Sequence, residues 1–186
     1  MTEVQEPLTE SEGREGLRLA RRSLELWVRT GEKLKVEAPF SGGLAQPFGA
    51  FVSIHTRDGE LRGCIGHLIG EGPLGELLID LGIAAGTHDT RFEPVTESEL
   101  DDLTYEISVL SPMKRTRPED VKPGLHGLLV HNGPYSGVLL PQVAERYGWN
   151  AETFLAETCR KAGLHGGAWK DPATHIFTFT AQIFHE

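Results

Sequence analysis

The densest group of side chains able to do chemistry falls within residues 51–64. Asp58-Gly59 separates two alternating runs, 48–56 and 60–68, the pattern of a β-hairpin closed by a two-residue type I′ turn. Such a loop sets Arg57 opposite Glu60, Thr56 opposite Leu61 and His55 opposite Arg62. Ile54 then faces Gly63, Ser53 faces Cys64 and Val52 faces Ile65. Strand side chains alternate between faces. One face is therefore Val52, Ile54, Leu61 and Ile65, which is core. The other carries Phe51, Ser53, His55, Arg62 and Cys64: a hydroxyl, an imidazole, a guanidinium and a thiol.

A cysteine acts as a nucleophile through its thiolate, which neighbouring positive charge favours. Arg62 lies two residues from Cys64, about 7 Å along a strand. Gly63 and Gly66 leave the backbone beside Cys64 bare, as happens where a ligand or another backbone approaches closely. The competing expectation is a small hydrophobe packed in a core, the commoner fate of a free cysteine. Cys159 falls on the apolar face of a helix and reads as core.

Asp89-Thr90-Arg91-Phe92 occupies a loop after a helix, where Asp89 and Arg91 either bind a ligand or pair to hold the loop. His126 and His131 differ by an odd number and so point to opposite faces of an uninterrupted strand. The histidines are otherwise scattered, and no metal site is expected. The Ser41-Gly42-Gly43 and His165-Gly166-Gly167 stretches lack the strand–loop–helix setting of a phosphate loop and read as turns.

The elements that must position these groups are legible from period and punctuation. Thr9-x-x-Glu12 is a capping-box pattern opening a helix over 9–30 that ends at Gly31. A short extended piece is expected at 34–36. Pro73 starts a helix bearing Leu74, Leu77, Leu78, Leu81 and Ala85. Thr96-x-x-Glu99 is a second capping box, and 103–110 is a strand with Leu103, Tyr105, Ile107 and Val109 on one face. Residues 112–122 read as loop, 126–130 and 135–140 as strands around Asn132-Gly133, 141–147 and 151–162 as helices, and 174–184 as one last strand. Hairpins and separate helices favour an α+β fold with a largely antiparallel sheet and flanking helices.

At 186 residues with 39% apolar and 24% charged side chains, one domain is the default, with a core that needs no disulfide or structural metal. The 22 glycines and 11 prolines imply many turns. A net charge of -9 argues against nucleic acid, which requires a positive footprint. The basic cluster Lys114, Arg115 and Arg117 runs into Glu119 and Asp120 and reads as a solvated loop. The two distant cysteines have no zinc-type spacing, and no secretion signal favours a disulfide between them. Residues 1–8 read as a flexible tail. No signal peptide or membrane-spanning run is evident, so a cytoplasmic protein is expected.

Leu61-Arg62-Gly63-Cys64-Ile65-Gly66 resembles the signature of the AMMECR domain family. Asp89-x-Arg91-Phe92, Glu106-Ile107-Ser108-Val109-Leu110, Gly124-x-His126-Gly127-Leu128, Leu139-Leu140-Pro141-Gln142-Val143-Ala144 and Cys159-x-Lys161-Ala162-Gly163-Leu164 resemble further family blocks in the family's order. Together they cover about residues 17–184. The resemblance implies a single AMMECR-type domain built as a larger and a smaller subdomain with a cleft between them. It implies partnership with a Memo-like protein and a radical SAM enzyme, acting on a small organic substrate. A non-catalytic interaction role in the same set is the alternative. Cys64 and Arg62 are the candidate catalytic pair. Gly63, Gly66, Ser53, Asp89 and Arg91 are the candidate ligand-binding residues, with no metal or cofactor assigned. The chain departs from the family at His55, His67 and Thr90, where a lysine, a small hydroxyl residue and a proline are common.

Overall fold

The computed structural model describes residues 7–186, so residues 1–6 of the expected tail lie outside the described residues. Leu8 is buried, and its amide donates to the Gln182 side chain at 3.0 Å. The chain forms two compact units, the first running to Leu110 and including Gln182–Glu186, the second spanning Ser111–Ala181.

In the first unit, α1 (Glu10–Thr30) opens on the Thr9–Glu12 capping box and stops at Gly31, whose φ of 73° suits a residue without a Cβ. Its buried face, including Leu17, Ala20 and Leu24, meets Leu74, Leu78, Leu81 and Ala85 of α2 (Leu74–Thr87). Both helices cover one face of a four-stranded sheet in the order β2-β1-β3-β8. Its strands are β1 (Ala50–Thr56), β2 (Leu61–His67), β3 (Leu103–Leu110) and β8 (Ala181–His185). Val52, Ile54, Tyr105, Ile107 and Val109 fill that core. No strand forms at the expected 34–36.

The second unit holds a four-stranded sheet in the order β4-β7-β5-β6. The strands are β4 (Lys114–Arg115), β5 (Gly127–Asn132), β6 (Tyr135–Leu139) and β7 (His175–Phe179). With α3 (Pro141–Arg146) and α4 (Ala151–Lys161), the sheet encloses a core of Leu128, Val130, Phe154, Leu155 and Ile176. Cys159 is fully buried there, and both cysteines are free thiols. The fold is α+β with antiparallel sheets, as the hairpin-rich sequence implies. The expected final strand over 174–184 breaks at Thr180 into β7 and β8, which join different sheets. Among the described residues no helix is long and apolar enough to cross a membrane.

The β1–β2 hairpin departs from the expected register in one respect. Gly59 N–H donates to Thr56 O at 2.8 Å and Thr56 N–H to Glu60 O at 2.9 Å, so the loop has three residues, with Gly59 at φ 83°. This one-residue shift is cancelled by a bulge: His55 lies opposite Leu61, yet Ile54 lies opposite Gly63, leaving Arg62 as the extra residue. The expected pairs Ser53–Cys64 and Val52–Ile65 therefore form, while those at the tip do not. Leu61, expected in the core, is 39% exposed because it lies on the loop side of the bulge.

Gly63 explains how α2 meets this strand. A Cβ built there would stand 2.0 Å from the Ala85 carbonyl oxygen, so the helix backbone rests directly on the strand. Gly63→Ala is expected to cost about 2 kcal/mol through overpacking. Urea unfolding at neutral pH checks this, and an unchanged midpoint would show that the contact is loose.

Candidate functional site

Cys64 lies on β2, an edge strand of its sheet. Its side chain points away from the helix-covered face, beside Ser53, whose hydroxyl donates to Sγ at 3.2 Å. Opposed residues that do not exchange backbone hydrogen bonds bring their side chains closest, which suits this contact. Cys64 is half-buried, so the thiol is neither in the core nor fully in water.

The outward-facing main chain of an edge strand needs partners. Here Asp89 supplies one: Cys64 N–H donates to its Oδ2 at 2.9 Å. Arg91 closes a fork on the same carboxylate, with Nε to Oδ1 at 2.9 Å and Nη2 to Oδ2 at 2.6 Å. Its amide also reaches Oδ1 at 3.2 Å, and Nη2 makes a long 3.5 Å contact to Cys64 O. Asp89 is 7% exposed. Hydrogen bonds from the Arg91 side chain, then from the amides of Cys64 and Arg91, hold its carboxyl well below the ordinary carboxylate range despite burial. Asp89 in turn holds the Arg91 guanidinium above its ordinary value. The Arg91 side chain is 57% exposed, and its Nη1 has no partner among the described residues.

Arg62 is placed differently from its expected role as the catalytic partner of Cys64. Its Nε and Nη2 donate to Glu99 at 2.8 and 3.3 Å, and Nη1 donates to Glu93 O at 2.9 Å. All three guanidinium nitrogens are thus engaged in holding β2 to the 93–99 segment. The bulge at Arg62 lets this side chain leave the row that Cys64 occupies. Glu99 also accepts from the Thr96 amide and hydroxyl in its capping box. Arg62 first, then Thr96, lower its carboxyl to about 2.

The structure brings Ser53, Cys64, Asp89 and Arg91 together, and separates Arg62 from them by its ion pair. Gly63 is occupied by the α2 backbone, not open to a ligand. Gly66 makes room for the Phe51 ring, which a Cβ would meet at 2.2 Å. Sequence reasoning missed Glu106, which stands opposite Ser53 on β3. The alternation of β3 puts Glu106 on the face away from the core, but its neighbour across the sheet is not written in any local pattern.

The Glu99 ion pair makes a prediction about acid. Its folded-state value lies near 2 against an unfolded value of about 4.3, so its stabilisation is complete above about pH 4.3 and lost as pH falls through about 2. Glu99→Gln should be less stable than the native chain by about 1–2 kcal/mol at pH 6, allowing for partial exposure. The gap should close by pH 2 in denaturant titrations. A gap independent of pH would show that the charge plays no part.

The AMMECR1 family model matches residues 17–184. A protein from Methanothermobacter thermautotrophicus is 42% identical over 187 residues, 97% of each chain. Another from Thermococcus gammatolerans is 43% identical over 180 residues, 91% of this chain and 88% of that one. The crystal structure of the uncharacterized protein PH0010 from Pyrococcus horikoshii superposes with a TM-score of 0.84 at 40% identity, covering 97% of this chain and 94% of that one. With the family model matched over residues 17–184 and a relative 42% identical over 97% of the chain, the chain belongs to the AMMECR1 family.

Proposed function

We propose that this chain works with a Memo-like protein and a radical SAM enzyme in modifying a small organic substrate, and that Cys64 is its substrate-facing group. The family resemblance motivates the partnership. The observation that carries the site is the mounting of Cys64: a half-buried thiol hydrogen-bonded to Ser53, on a strand whose amide is fixed by Asp89. In this reading the thiol serves as a nucleophile or proton-transfer group. The cation that meets substrate oxygen is Arg91, whose side chain is more than half exposed and whose Nη1 has no hydrogen-bond partner among the described residues, while Arg62 positions the strand. Asp89, held as a carboxylate, keeps Arg91 beside the Cys64 backbone.

A second reading, a non-catalytic partner in the same set, is favoured by the position of β2 at a sheet edge. There the strand would be a docking surface for one of the two partner proteins. The net charge of -9 speaks against a role on nucleic acid.

Iodoacetamide labelling separates the first two readings. A substrate-facing thiol predicts labelling of Cys64 in the native protein. Cys64→Ala should abolish turnover in a reconstituted mixture of the three proteins while leaving their pull-down intact. A Cys64 that is labelled only after unfolding, with Cys64→Ala fully active, would overturn the proposal. Loss of pull-down on Arg91→Ala with an intact fold would support docking.

A further inference from the structure

Paired residues on neighbouring strands direct their side chains to the same face. The registers Cys64–Ser53 and Ser53–Glu106 therefore place a thiol, a hydroxyl and a carboxylate in one row across β2, β1 and β3. Two interstrand spacings, about 10 Å, separate the backbones at its ends. Glu106 is half-buried, and among the described residues its carboxylate has no hydrogen bond and no ion pair. The other acids near the row are matched: Asp89 by Arg91 and Glu99 by Arg62. Glu106 thus leaves the row with one uncompensated negative charge, partly withdrawn from water. In the adjoining row Phe51 is paired with Gly66 and its ring covers that glycine, giving an apolar wall on the same face.

We infer that the Cys64 site takes a small organic cation, a protonated amine on a compact apolar body. The ammonium group sits over Glu106, the apolar part lies against Phe51, and the rest of the molecule reaches the thiol. A half-buried carboxylate without a partner attracts a cation more strongly than one in bulk water. An aromatic wall suits an ammonium group as well as an apolar body. This inference rests on the reading of Cys64 as the group that faces substrate.

The test uses the full chain and three alkylating probes of different charge: 2-bromoethylamine, iodoacetamide and iodoacetate. In each reaction the Cys64 sulfur forms a bond to the halogen-bearing carbon and halide leaves. Rates at Cys64, located by peptide mass mapping, are divided by those of free cysteine with the same reagent. The native chain should favour the cationic probe over the anionic one. Glu106→Gln should reduce that preference by about three- to tenfold, as should raising the salt to about 1 M. Glu106→Asp, which keeps the charge, should retain it, and circular dichroism confirms the fold of each variant. A Cys64 that reacts with all three probes, but with the same preference in Glu106→Gln, overturns the amine assignment and leaves the substrate-facing thiol standing. A Cys64 inert to all three overturns that reading and the inference with it.

Discussion

The contact between the α2 backbone and β2 at Gly63 governs the rest of the site. No side chain fits there, so the last turns of α2 lie against the strand itself. The helix ends at Thr87, and the following residues turn round the open edge of the sheet. Two residues past the helix, Asp89 meets the outward amide of Cys64. A larger residue at position 63 would lift α2, and with it the carboxylate that completes the edge strand. Gly63 and Asp89 are thus two ends of one constraint.

Carboxylates in this region do double work. Asp89 accepts from its own loop through Arg91 and from a strand through Cys64. Glu99 closes the capping box of its own turn and also receives Arg62 from β2. Each acid couples a local turn to a distant strand, and each is held in its charged form by the donors around it. At Cys64 the outward amide of the edge strand is thus met by a carboxylate in place of a neighbouring strand. Cys64 gains a fixed backbone while its thiol stays on the face away from the core.

Much of this was legible in the sequence. The capping boxes at Thr9 and Thr96, the strand over 103–110 and the pairs Ser53–Cys64 and Val52–Ile65 follow from period, capping chemistry and a hairpin signal. The tip of the hairpin did not, because Asp58-Gly59 fits both a two-residue turn and the three-residue loop that forms, and the bulge at Arg62 compensates for the difference. The break at Thr180 was hidden because β7 and β8 are continuous in pattern and differ only in the sheets they join. Arg62 looked like a partner of Cys64 because the two lie two residues apart. Its true partner, Glu99, is 37 positions away in the chain. Glu106 was missed for the same reason, since cross-strand neighbours depend on a register that no local pattern encodes.

The most direct test of this account is hydrogen exchange at the Cys64 amide, followed residue by residue by NMR. An amide on an unpaired sheet edge exchanges freely, whereas one held by a buried carboxylate is protected. Cys64 should be protected in the native chain to a degree comparable with Ile65. Asp89→Ala should remove that protection selectively while Val52 and Ile107 in the core keep theirs. Free exchange of Cys64 in the native chain, or protection that survives loss of Asp89, would contradict the claim that Asp89 holds β2 in place.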